Sequence, residues 1–132
     1  LCEHSERKII KPDRLEKVIV SAMKQSLKAY LPELHPMTPF DDFVQARREG
    51  VKCIAHCDED NKKRLDEAYL PDQPITILIG PEGDFSSREI ELAKNNGFIP
   101  LTLGESRLRT ETAGIVACHS INFIQETRVK HD

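Results

Sequence analysis

Two short stretches hold the residues whose types and spacing could do chemistry. The first is Gly80-Pro81-Glu82-Gly83, which interrupts the apolar, β-branched run Ile75-Thr76-Ile77-Leu78-Ile79. The second is Glu105-Ser106-Arg107-Leu108-Arg109-Thr110-Glu111-Thr112, which follows a second apolar run over 98–103 that also breaks on a glycine, Gly104. Glycines at strand ends let backbone N–H and C=O groups come close to a flat or polar ligand. Arg109, between a glycine turn and a helix start, offers a planar, permanent cation for an anionic group or a developing negative charge. Glu82 and Glu111 have two readings each, a catalytic task or a favourable charge at a loop or helix N-terminus, and the sequence leaves both open. Gly80-Pro81-Glu82-Gly83 is not followed by the lysine and hydroxyl of a P-loop, and no G-x-G-x-x-G follows a strand. No serine-histidine or cysteine-histidine pair has a spacing that supports nucleophilic catalysis. Nucleotide hydrolysis, a dinucleotide fold and hydrolase chemistry are therefore not expected, whereas an adenosine-like group held by main chain is.

The elements that must position these loops follow from periodicity. Apolar residues at helical spacing predict a helix over 13–30, with Asp13 and Glu16 as a capping box, packed on a sheet. Pro32, Pro36 and Pro39 enforce an extended linker, after which Asp41 and Asp42 open a second helix that Gly50 ends, with Phe40, Phe43 and Val44 buried. A strand is expected over 51–57, then a charged loop over 58–70 with one amphipathic turn around Leu65, Ala68 and Tyr69. The strand over 75–79 feeds the first glycine loop; Ser86 and Glu89 form a capping box for a helix to about Asn96, stopped by Asn96-Gly97-Phe98. The strand over 98–103 and a helix from 110–112 to about 126, small and apolar all round in its first turns, complete the chain. Alternating strands and helices give an α/β domain with a mostly parallel sheet, and the two loops should lie side by side over one crevice at its carboxyl edge.

A chain of 132 residues with 39% hydrophobic residues and no tryptophan supports one domain. A net charge of −3 argues against wrapping a nucleic-acid backbone with the whole surface. The chain lacks an apolar run of roughly 18 residues and a signal-peptide pattern, so a soluble, cytoplasmic protein is expected. Cys2, Cys53, Cys57 and Cys118 follow no disulfide-framework spacing, in keeping with a reducing compartment. Cys53, His56 and Cys57 invite a zinc reading, but a strand would turn His56 away from the two cysteines and no second ligand pair follows. Both cysteines are expected as small buried side chains, and no metal is expected.

Ile79-Gly80-Pro81-Glu82-Gly83, Phe85-Ser86, Glu89, Asn96-Gly97-Phe98, Leu103-Gly104 and above all Leu108-Arg109-Thr110-Glu111-Thr112-Ala113 resemble the signature of the ribosomal RNA small subunit methyltransferase E family of the SPOUT superfamily. The resemblance extends upstream through Ser5-Glu6-Arg7, Lys17, Ala22 and Gln25-Ser26, so nearly the whole chain is covered. It implies a deep C-terminal trefoil knot, a homodimer, S-adenosyl-L-methionine as cofactor, and methyl transfer to the ring N3 of a uridine in 16S rRNA of the small ribosomal subunit. The cofactor residues it implies are His56 and Cys57 after the first strand, Ile79, Gly80, Pro81, Glu82 and Gly83, and Leu103, Gly104, Leu108, Arg109, Thr110, Thr112 and Ala113. Arg109 would stabilise the anionic uracil, Glu111 or Glu82 would accept its proton, and Arg7 and Arg107 would contact RNA. The chain departs from the family at Asp84, where a second glycine is usual, and at Leu27-Lys28, where a Gly-Arg pair is usual. It also starts downstream of the family's N-terminal RNA-binding (PUA-like) domain and of the first strand-helix unit, so residues 1–132 are expected to be a methyltransferase domain lacking both. Two other readings stay open: a non-catalytic RNA-binding or ribosome-assembly module of the same fold, and an enzyme for some other adenosine-containing ligand.

Overall fold

The computed structural model describes residues 1–26 and 31–129. Four parallel strands, β1 (Val51–Ala55), β2 (Lys63–Arg64), β3 (Ile75–Ile79) and β4 (Ile99–Thr102), form one sheet in the order β2-β4-β1-β3. Five helices accompany them among the described residues: α1 (Pro12–Gln25), α2 (Phe40–Gln45), α3 (Leu65–Ala68), α4 (Ser87–Asn95) and α5 (Thr110–Val129). The expected α/β class with a parallel sheet is what forms.

β1 organises the interior because consecutive strand residues point to opposite faces. Ile54 enters a core with Phe40, Val44, Phe85, Ile90, Ala93 and Phe98, under α2 and α4. Its neighbour Cys53 enters the other core, with Leu65, Ala68, Tyr69 and Leu101, which Ile121 and Ile124 of α5 help to cover. The layers are therefore helix, sheet, helix. Burial pushes the Cys53 thiol up to about 11 from its ordinary 9.0. Because the folded state keeps this group neutral, stability is unaffected below pH 9 and is lost as pH rises through 11, by roughly 2 kcal/mol. Urea unfolding at both ends of that window should show this alkaline loss in the parent and a smaller one in Cys53→Val.

The α4 boundaries were legible in the sequence. Ser86 Oγ accepts from the Glu89 N–H at 3.2 Å while Glu89 Oε1 accepts from the Ser86 N–H at 2.9 Å. At the other end the Phe98 N–H reaches the Ala93 carbonyl at 3.0 Å and the Gly97 N–H reaches Lys94 at 3.1 Å, a Schellman stop. The Glu89 carboxylate is fully buried, and its second oxygen accepts from the Glu3 N–H at 3.1 Å, so it fastens the N-terminal segment to the helix start. Glu89→Ala leaves two part-buried donors, the Glu3 and Ser86 N–H groups, without their acceptor, and chemical denaturation should show a loss of about 2 kcal/mol; Glu89→Gln, which keeps one acceptor oxygen, should lose less.

Four expectations are corrected. α1 begins at Pro12 in the first helical position, with Lys11 as a cap that makes no side-chain bond, so Asp13 sits inside the helix and its capping box does not form. Proline's fixed φ suits it to that first position and cannot be fitted further in. None of the α1 residues is buried, so it is not a helix packed on the sheet; the expected end over 27–30 lies outside the described residues. α2 stops at Gln45, and Gly50 belongs to the approach to β1 rather than to the helix end. Cys57 is exposed, because β1 ends two residues before it. β2, absent from the sequence reading, is a two-residue charged edge paired with Leu101 and Thr102.

Candidate cofactor cleft

β4, β1 and β3 are adjacent and parallel, so the loops that leave them emerge at one edge of the sheet. The two glycine loops do face one crevice, but β1 lies between their strands and its own loop forms the third wall. The resulting cleft has a volume of about 670 Å³, within the range of small-ligand sites.

Two hydrogen bonds tie the three walls together. Thr110 Oγ1, at the start of α5, donates to the Gly80 carbonyl at 2.8 Å. Asp84 Oδ2 accepts from the Cys57 N–H at 2.9 Å. Asp84 adopts a left-handed backbone conformation, with φ of 63°. Aspartate tolerates that region better than most residues, and its carboxylate then reaches across to the first loop. The family's usual glycine could adopt the same turn but could not make this bond. Gly80 is equally constrained: a Cβ there would lie 3.1 Å from Asp84 Oδ1 and 3.2 Å from the buried Phe85 ring.

The first loop is held from within. His56 Nε2 lies 3.2 Å from Asp60 Oδ2, and Asp60 also receives Lys94 Nζ at 3.0 Å. The Lys62 ammonium donates to the His56 carbonyl. Burial, reinforced by the Lys62 charge, holds the His56 imidazole below its ordinary range, while the hydrogen bond from Lys94 holds the Asp60 carboxyl below its own. His56 is thus neutral near pH 7.

Of the residues expected to bind cofactor, His56, Cys57, Ile79, Gly80, Pro81, Glu82, Leu103, Gly104, Leu108, Arg109, Thr110 and Ala113 line the cleft, together with Glu111 and Arg107. Gly83, Thr112 and Arg7 are not among its lining residues. Gly83 is exposed and lies against His4, whose Nδ1 is 3.0 Å from the Gly83 carbonyl. Thr112 is exposed on α5, between the lining residues Glu111 and Ala113. Arg7 is exposed on the N-terminal segment. Sequence reading missed Ala55, Lys62, Asp84, Leu101, Thr102, Glu105 and Ser106. Asp84 alone had a signal, an aspartate following a glycine at a turn.

The cleft suits a flat adenosine-like ligand, with an apolar floor at Ala55, Ile79 and Leu101, main chain at Gly80 and Gly104, and an unpaired buried acceptor at His56 Nδ1. No helix among the described residues is long and apolar enough to cross a membrane.

Fold and cleft together define an α/β domain with an open cleft beyond the carboxyl ends of three parallel strands. A family model described as an RNA methyltransferase domain matches residues 1–122. The chain belongs to this RNA methyltransferase domain family. It is 31% identical to ribosomal RNA small subunit methyltransferase E of Synechocystis, over 93% of this chain and 44% of that protein. It superposes with a TM-score of 0.91 on a probable rRNA-methyltransferase from Porphyromonas gingivalis, at 46% identity over 97% of this chain and 55% of that one. It also matches ribosomal RNA small subunit methyltransferase E from Neisseria gonorrhoeae, solved bound to S-adenosylmethionine, with a TM-score of 0.78 and 25% identity over 90% of this chain and 52% of that one. The chain thus spans about half the length of the relatives it matches.

Proposed function

We propose that this chain forms the cofactor-binding and catalytic part of an S-adenosylmethionine-dependent methyltransferase that modifies N3 of a uridine in 16S rRNA. The observation that carries the reading is the cleft itself: three loops on adjacent parallel strands, cross-tied by Asp84 and Thr110, in a domain whose relatives include one solved with that cofactor. Bound there, S-adenosylmethionine supplies an electrophilic methyl group on a sulfonium.

The protein's own residues then have separable tasks. Uracil N3 must lose its proton as it attacks, so the ring develops negative charge. Arg109 is placed to hold that charge: it lines the cleft, is exposed, and no ion pair or side-chain hydrogen bond joins it to another described residue. Glu111 or Glu82, both lining the same cleft, accepts the proton, and Arg107 and Arg7 meet the RNA backbone.

The same reading includes the C-terminal trefoil knot and the homodimer. Support for the dimer is the outward face of α5, where Ile115 is 70% exposed and Phe123 60% exposed, an unusual state for large apolar side chains in a 20-residue helix.

Calorimetric titration with S-adenosylmethionine and its demethylated product tests the proposal. The parent should bind both, and Gly80→Val should abolish binding, since its side chain would have to displace Asp84 and Phe85. Failure of a folded parent to bind either ligand would defeat the reading.

A further inference from the structure

Among the described residues one buried side-chain polar atom has no hydrogen-bond partner, and it is carried by a residue that lines the cleft: His56 Nδ1. The imidazole is 1% exposed. A buried polar atom without a partner is destabilising, so its persistence in a ligand site points to a donor that the ligand brings.

The neighbours decide what kind of donor. Asp60, an acceptor fixed by Lys94, takes the Nε2 proton, and this leaves Nδ1 as a bare lone pair. His56 directly follows Ala55, which is in register with Ile79 on one side and Leu101 on the other, so its backbone leaves the sheet beside three residues that line the cleft. Lys62, bonded to the His56 carbonyl, places a positive charge beside the ring. Asp60 is already engaged by Lys94 and Asp84 by the Cys57 N–H, so the Lys62 charge disfavours a ligand ammonium at this enclosed atom and leaves a neutral N–H on a flat ring as the fitting donor.

We propose that His56 Nδ1 recognises the exocyclic amine of the cofactor's adenine, with Asp60 as the positioning residue that fixes the tautomer. This rests on the S-adenosylmethionine reading above. It assigns base selectivity to one side chain and makes the His56–Asp60–Lys94 chain part of ligand recognition rather than only a loop fastening.

Calorimetry with three ligands tests it: S-adenosylhomocysteine, its analogue with hydrogen in place of the exocyclic amine, and its 6-oxo analogue. The parent should bind the amine form about tenfold tighter than the hydrogen form, the value of one hydrogen bond to a buried acceptor. His56→Leu should bring that ratio to about one. Asp60→Asn, whose amide can donate to Nε2 and so move the proton to Nδ1, should shift preference toward the 6-oxo ligand, an inversion that simple loosening of the loop would not produce. Because each ratio is taken within one protein, general losses of affinity cancel. Equal binding of amine and hydrogen forms by the parent, or an unchanged ratio in His56→Leu, would overturn the assignment while leaving the cofactor reading intact. Binding of none of the three would remove both.

Discussion

If the proposed methyltransferase function holds, Arg109→Ala is expected to lower the methyl-transfer rate about a hundredfold or more, the cost of removing one donor aimed at developing charge, while S-adenosylmethionine affinity changes little. The separation follows from the cleft. Its cross-ties run through Thr110 and Asp84, not through Arg109, whose guanidinium makes no ion pair with another described residue. Arg109→Lys should recover only part of the rate, because an ammonium cannot present two parallel N–H groups to a planar anion. Single-turnover transfer to 16S rRNA, with cofactor affinity measured on the same variants, would check this. A parallel loss of affinity and rate would instead make Arg109 part of the cofactor wall.

Gly50→Ala is expected to destabilise the fold by roughly 3 kcal/mol and to lower the melting temperature by about 10 °C. Gly50 has φ of 83°, and a Cβ on it would lie 2.0 Å from the Pro74 carbonyl oxygen. That same oxygen accepts from the Val51 N–H at 2.9 Å, so the obstacle is backbone already committed to the start of β1. Relief would require moving β1 relative to β3, the longest ladder in the sheet. Thermal denaturation followed by far-UV circular dichroism would measure the loss.

Where elements are decided by neighbours in sequence, they were legible. α4 is the clearest case, since its start depends on Ser86 and Glu89 and its stop on Gly97 and Phe98, all within one turn of its ends. β1, β3 and β4 announced themselves by apolar, β-branched runs bounded by glycine or proline. β2 could not be read, because Lys63 and Arg64 pair only by virtue of lying beside β4. α1 looked amphipathic, yet Val18 is 59% exposed; periodicity states which face could be buried, not whether a partner is present.

The site divides in the same way. The glycine loops and the 108–113 run were identifiable because their residues are contiguous, and the resemblance supplied the wall at His56 and Cys57. Asp84 and Asp60 were not assigned, because their roles arise from pairings across the fold. The Cys57–Asp84 bond spans 27 positions and the Asp60–Lys94 pair spans 34. Gly83 and Thr112, contiguous with these runs, are not among the lining residues of the cleft, and Gly83 lies against His4.

The two margins of the sheet differ in kind. On one side β2 is two charged residues long, too short and too polar to seat another strand. On the other, β3 presents five residues, Ile-Thr-Ile-Leu-Ile, with backbone donors and acceptors along its outer side that no described strand takes up. Growth of the sheet is therefore directional. A further strand, from this polypeptide or from another molecule, can add beside β3 and not beside β2. The same margin is where self-association in concentrated solution would start.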